Sequence, residues 1–366
     1  MNKYLVALNL IPNIGFKRSK QLLDHFGGKY ENIFKVPAKT ISDILGMRKT
    51  PDYNPHEILE KTEEEIEKAN EAGIKIITIE DNEYPDILKQ THSPPIVLYT
   101  KGDISCLERP CVSIVGTRNP TDLGIKNAKE LAAELSKYNI TIVSGFAMGI
   151  DTAAHESTVD NGGLTCAVLG CGLDIDYPVR NKQLREGVVN NGCLISEFAL
   201  GVEPRKQNFP RRNRIIAGLS RACVMVEGAV DSGALITANL AFEMNRNVFA
   251  FPGHIENDKY GGTNKLIKKN VASLITCHND LLDELGGILN LELRKRNIKE
   301  KLQENLKNLS DIEKKILKCL DYFDAKHIDF ITEETKLAVN VVGQVLLSLE
   351  LKGHVMQKPG KMFVRS

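Results

Sequence analysis

Between Glu203 and Glu227 the chain carries six cations, Arg205, Lys206, Arg211, Arg212, Arg214 and Arg221, and no acid. Phe209 stands among them, with Asn208 and Asn213 close by. Cations suit phosphate oxygens and an aromatic face suits an unstacked base, a combination that holds single-stranded nucleic acid. The competing reading is a solvated basic loop whose phenylalanine turns into the core. Pro210 is expected to stiffen a loop ahead of a helix that begins near Asn213.

Glycine turns offer anion sites of a second kind. SIVGTRNP (113–120) places Gly116, Thr117 and Arg118 at a strand end, with Gly124 opening the next helix. Glycine lets backbone approach an anion, a helix start supplies N–H donors, and arginine adds a planar fork. The alternative for Arg118 is a surface ion pair. SGFAMGID (144–151) repeats the design with Ser144 and Gly145. Ser232-Gly233 and Gly261-Gly262-Thr263-Asn264-Lys265 follow at two further turns. Several anion sites along one edge suit a polymer better than one small nucleotide.

Other chemistries lack their residues. Gly170-Cys171-Gly172 has two glycines of a dinucleotide fingerprint and not the third, and neither GxxxxGK[ST] nor GxSxG occurs. Asp151 and His155 share a helix face, yet no third ligand stands at metal spacing, so structural hydrogen bonding is expected. No catalytic residue, metal or cofactor is expected.

These turns need a scaffold, and the pattern supplies one. Between about 73 and 285, β-branched runs (KIITI, IVLYT, SIVGT, TIVSG, TCAVLG, CLISE, CVMVEG, VFAFPG, SLIT) alternate with helical stretches such as Gly124–Ser136 and Gly233–Asn245. Such alternation indicates an α/β, mostly parallel sheet covered on both faces, with ligands at the carboxyl ends of its strands. Residues 1–72 read as a small helical domain. Its Ile11-Pro12-Asn13-Ile14-Gly15 turn is similar to a helix-hairpin-helix, although Asn13 stands where glycine is usual. EILEKTEEEIEKANE (57–71) reads as a solvated acidic spacer helix with Ile58, Leu59 and Ile66 on one face. Residues 286–308 read as a charged linker. Residues 309–366 read as a winged helix: Ser310 caps a helix with Ile312, Ile316, Leu317 and Leu320 inward, helices follow near 330–335 and 340–351, and a hairpin turns at Pro359-Gly360. The third of these helices has little basic charge, so protein docking or structure competes with DNA reading there.

Length and composition bound the rest. The chain has 366 residues, 48 basic against 47 acidic, and no tryptophan. A net charge of +1 argues against a uniformly basic coat but not against one basic face. No apolar run approaches the roughly 18 residues of a membrane span. The first residues read as a helix of the mature protein, since no small-residue cleavage site follows. Eight cysteines without a CxxC pair fit buried thiols in a reducing cytoplasm.

GTRNP, SGFAMGID…AAH, VLGCGLDIDYP, SE, FPRRNRIIAGLS, VEG…SGALITA, and FPG followed by GGTNKLI together resemble the DNA-processing protein A family (DprA, also called Smf). They run in the family's order over about 113–267. The resemblance implies an extended Rossmann-like sheet, flanked by a SAM or helix-hairpin-helix-like domain and a winged helix. It implies a single-stranded DNA-binding protein without known catalysis. Such proteins protect incoming DNA in natural transformation, help load a RecA-type recombinase, and form homodimers through the sheet domain. It further implies DNA contacts at Arg118, Lys206 and Phe209, with Arg211, Arg212, Asn213 and Arg214 in the matching basic motif. An enzymatic alternative is a nucleoside-monophosphate phosphoribohydrolase on a related fold; its PGGxGTxxE glutamate is missing from DSGALITA. A sequence-specific duplex regulator would rest on the winged helix alone.

Overall fold

The computed structural model describes residues 1–51, 53–286, 310–320, 325–352, 354–358 and 360–365. Met1–Leu285 form one compact unit and the described residues of Gly286–Ser366 a second.

Nine strands build the sheet of the first unit: β1 (Lys75–Thr78), β2 (Val97–Gly102), β3 (Cys111–Val115), β4 (Thr141–Ser144), β5 (Thr165–Val168), β6 (Gly192–Ser196), β7 (Ala222–Met225), β8 (Asn247–Ala250) and β9 (Ser273–Leu274). Each lies on one of the β-branched runs. Every residue of β3 to β7 is buried, as expected where helices cover both faces. The order is β1-β2-β6-β5-β4-β3-β7-β8-β9. Pairing is parallel from β6 to β9, and β2 joins antiparallel to both β1 and β6. The chain leaves β3 toward β4 and returns later to place β7 on its other side. Loops after β3 and β7 therefore diverge, and a crevice opens between their carboxyl ends.

The helical segment shares its core with this sheet. Lys3–Leu10 and Phe16–His25 form the hairpin, with Ile11 and Ile14 buried beneath the turn. Asn13 itself takes the left-handed backbone (φ 64°) that glycine would supply. The acidic helix Pro55–Glu71 is not a free spacer. Ile58, Thr62, Glu65 and Ala69 are buried, and Glu65 accepts from the Leu200 N–H at 2.8 Å. A solvated spacer was expected, but one glutamate turns inward to a backbone donor.

In the second unit Ser310 and Glu313 form a capping box on the helix Asp311–Lys318. Helices Ile328–Thr335 and Val339–Leu351 follow, and Val355–Lys358 pairs antiparallel with Met362–Arg365, which also pairs with Lys326–His327. This is a winged-helix arrangement. Ile316, Leu317, Leu320, Ile331, Val342, Leu346 and Leu349 form its core. Ile312 was expected among them but is 43% exposed, in the first turn of its helix, one turn before Ile316. Val339, Asn340, Gln344 and Leu347 are exposed on the third helix, and none of them is basic. Pro359 and the stretch 287–308 assigned to the linker lie outside the described residues.

The helix Ile150–Asp160 buries His155 against β5. The Thr165 hydroxyl donates to the Ile142 carbonyl (2.9 Å), so it accepts from His155 Nδ1 (2.7 Å). The ring is thus neutral and protonated on Nδ1. Its Nε2 is buried without a partner. Burial, aided by the Arg212 charge, holds the imidazole down to about 3 from 6.5. Above 6.5 it is neutral in folded and unfolded chains alike. Below 6.5 the unfolded chain takes a proton that the folded chain refuses, so stability falls with pH toward 3. Urea denaturation at pH 7 and pH 5 should show about 2 kcal/mol of loss from this group. His155→Gln should lack that component; an unchanged pH dependence in the variant would remove His155 from the explanation.

Candidate functional site

The basic motif adopts a helix earlier than its proline suggested. The helix runs Asn208–Leu219, so Phe209 and Pro210 occupy its first turn, where proline's missing N–H costs no hydrogen bond. Phe209 is therefore fixed by a helix rather than carried on a loop. Its ring sits against Gly170, where an added side-chain carbon would come within 3.0 Å of Phe209 Cδ1. The Arg118 guanidinium lies 5.1 Å from the ring centroid, that of Arg212 at 5.9 Å and the Tyr177 ring at 5.8 Å. These side chains line a pocket completed by Gly145, Met148 and Leu169.

A second cleft, about 320 Å³, adjoins the first and shares Arg118, Ala147, Phe209 and Arg212 with it. Gly116 and Thr117 line it from the end of β3, and Asp231, Ser232 and Gly233 from the loop after β7. It thus occupies the crevice that the strand order creates. Gly116 is required by packing as much as by any ligand, because a Cβ there would lie 2.5 Å from Ile150 Cγ1. Ser232 caps the helix Gly233–Glu243 through the Ala234 N–H.

Arg212 forms the floor. It is buried, donates through Nη1 to the carbonyls of Gly145 and Val168, and through Nε to Asn213 Oδ1 at 3.1 Å. Asp151 faces it across Gly145: a side-chain carbon at Gly145 would lie 2.7 Å from both Arg212 Nη2 and Asp151 Oδ2. Burial lowers Arg212 to about 10, with Asp151 pulling it back up, so it stays a cation at neutral pH. Burial pushes the Asp151 carboxyl up, and Arg212 opposes that shift.

The structure brings Gly116, Thr117, Arg118, Gly145, Phe209, Arg212, Asn213, Ser232 and Gly233 to the two cavities. Lys206 is exposed in the turn just before the Phe209 helix. Lys265 is exposed on the helix Gly261–Lys268 and lines neither cavity. Ser144 is buried and donates to the Ile114 carbonyl at 2.6 Å, so its hydroxyl does not face a ligand. Arg214 is bound to Glu197 and to the Ser93 carbonyl (2.7 Å). Arg118 forms no ion pair among the described residues, which sets aside the surface-pair alternative.

One expected donor set is already filled. The helix after β3, Asp122–Lys137, offers its N-terminus not to an outside anion but to the buried carboxylate of Glu227. Thr121 donates to that carboxylate through its N–H (3.0 and 3.1 Å) and hydroxyl (2.6 Å) and caps the Gly124 N–H. Tyr177 was not singled out by residue type and spacing. An aromatic before proline has many uses, and only the fold brings it to Phe209.

A family model described as DNA recombination-mediator protein A matches residues 75–286, and one described as DprA winged helix domain matches 300–361. Protein Smf of Synechocystis sp. is 36% identical over 402 residues, covering 99% of this chain and 98% of its own. The DNA processing protein DprA of Streptococcus pneumoniae is 42% identical over 207 residues, 57% of this chain and 73% of its own. The X-ray structure of that S. pneumoniae protein matches with a TM-score of 0.64 at 33% identity, over 78% of this chain and 98% of the other. DNA processing protein A of Helicobacter pylori, described for its single-stranded DNA binding mode, matches with a TM-score of 0.53 at 30% identity, over 58% and 95%.

Two classes of cation should separate in one experiment. Arg212→Ala removes the cation that faces buried Asp151, which costs about 3–5 kcal/mol, so its melting temperature should drop sharply. Arg118→Ala should melt within a degree or two of the parent, because among the described residues its guanidinium makes only a ring contact. Equal melting temperatures for the two variants would contradict this division.

Proposed function

The chain belongs to the DNA recombination-mediator protein A family, and on that premise we propose that it binds single-stranded DNA in the paired cavities at the carboxyl edge of its sheet. The observation that carries the reading is the convergence of Arg118, from the turn after β3, with Phe209 and Arg212, from the basic helix, on one crevice. Arg118 and Lys206 meet phosphates, and an incoming base stacks on the Phe209 ring together with the guanidinium lying over it. Ser232 and Gly233 offer further donors to the backbone of the strand. Duplex DNA keeps its base faces stacked away from such a platform, so the preference is for single strands.

The wider role is the family's. The bound strand is protected and handed to a RecA-type recombinase during natural transformation, by a homodimer joined through the sheet domain, in the cytoplasm. Among the described residues no helix is long and apolar enough to cross a membrane. The phosphoribohydrolase alternative has no support at the turn after β7: Asp231-Ser232-Gly233 carries no glutamate in the position that pattern requires. Release of ribose 5-phosphate from AMP at enzymatic turnover would reverse this conclusion.

Oligo-dT should bind with an affinity that falls steeply with salt, and blunt duplex of equal length more weakly. Arg118→Ala and Lys206→Ala should each flatten the slope of log K against log salt by about 0.7. Phe209→Ala should lose about 1–3 kcal/mol per stacked base with the slope unchanged. Duplex binding as tight as single-strand binding would sink the proposal.

A further inference from the structure

Beyond the cavities, and resting on their reading as a single-strand site, one acid stands beside two arginines of the basic helix. Glu197 directly follows β6, and its side chain is only 7% exposed. Its Oε2 takes Arg214 in a close ion pair and lies 3.9 Å from Arg211 Nη2. Its Oε1 is buried and has no partner. Its backbone carbonyl accepts from Asn9 Nδ2 at 3.2 Å, so the residue is held at both ends.

The two arginines are placed differently. Arg214 is fixed between Glu197 and the Ser93 carbonyl. The Arg211 side chain is 62% exposed, and its guanidinium lies 5.2 Å over the Phe198 ring. It sits two residues from Phe209 on the same helix, beside the end of β6. The neighbouring strand β5 is followed by Leu169 and Gly170, which line the Phe209 pocket. DNA leaving that pocket toward β6 passes Arg211. Attraction from a carboxylate almost out of water is poorly screened.

We infer that Glu197 is a positioning residue that keeps Arg211 over Phe198 and withholds its charge from DNA phosphate. The site then contacts fewer phosphates than its count of arginines suggests. Neutralising Glu197 releases Arg211 to the strand and adds one contact.

The test is a salt series of oligo-dT binding with wild type, Glu197→Gln, Arg211→Ala and the double variant, with circular dichroism to check folding. Glu197→Gln should bind several-fold tighter at physiological salt, with a slope steeper by about 0.7. Arg211→Ala alone should leave slope and affinity within about twofold of wild type, and added to Glu197→Gln it should restore the wild-type slope. A folded Glu197→Gln with the wild-type slope overturns the inference. So does an Arg211→Ala single variant whose slope is flatter by about 0.7, and that arm decides alone if Glu197→Gln does not fold. Wild type with no salt-dependent oligo-dT binding is a separate result: it removes the single-strand reading itself, and the inference with it.

Discussion

The site depends on burying one guanidinium. Arg212 ties the Phe209 helix to the ends of β4 and β5 by donating to the Gly145 and Val168 carbonyls. An arginine in the interior is tolerable only when its fork is satisfied and its charge is opposed. The two carbonyls satisfy it, and Asp151 opposes it across Gly145. Because these bonds tie the helix to the sheet, Phe209 is held on a fixed element rather than on a loop.

That interaction also shows why residue counting overstates a basic patch. The acid-free stretch has six cations. Of these, Arg212 is enclosed and Arg214 is bound to Glu197, while Arg205, Lys206 and Arg211 are exposed. Which cation faces water is decided by helix phase, and the phase depended on where the helix began. Pro210 pointed to a loop; it is equally suited to a first turn, and tertiary contacts of Arg212 decide between the two. The fold was more legible. Nine β-branched runs became nine strands because a sheet covered on both faces requires continuous apolar segments, a signal that survives without context. Asn13 looked like a departure from the hairpin pattern, yet it takes the left-handed backbone of the usual glycine, which asparagine tolerates. Tyr177 was not legible, since its approach to Phe209 is set by folding and not by spacing.

The Glu227 carboxylate bears on ligand choice. A helix N-terminus after a glycine turn ordinarily recruits phosphate. Here the helix after β3 is satisfied from within, and a Cβ at Gly124 would come within 2.1 Å of Glu227 Oε2. The dinucleotide arrangement is thereby closed off at its usual point. The next helix start along the edge, at Ser232-Gly233, still opens on the cleft. The same carboxylate braces the β3 loop against the β7 loop, where the Thr117 N–H also donates to the Glu227 carbonyl at 2.8 Å. Anion selectivity and loop geometry thus have one cause.

The strand order has a kinetic corollary. Arg118, Phe209 and Gly233 come from three distant segments, and β7 reaches its place beside β3 only after the chain has travelled through β4, β5 and β6. Contacts so far apart in sequence carry a larger loop-closure cost than local ones. A nascent or partly opened chain then holds the cations without the crevice. The crevice is complete only once β7 has paired with β3, so a partly folded molecule has no half-formed version of it.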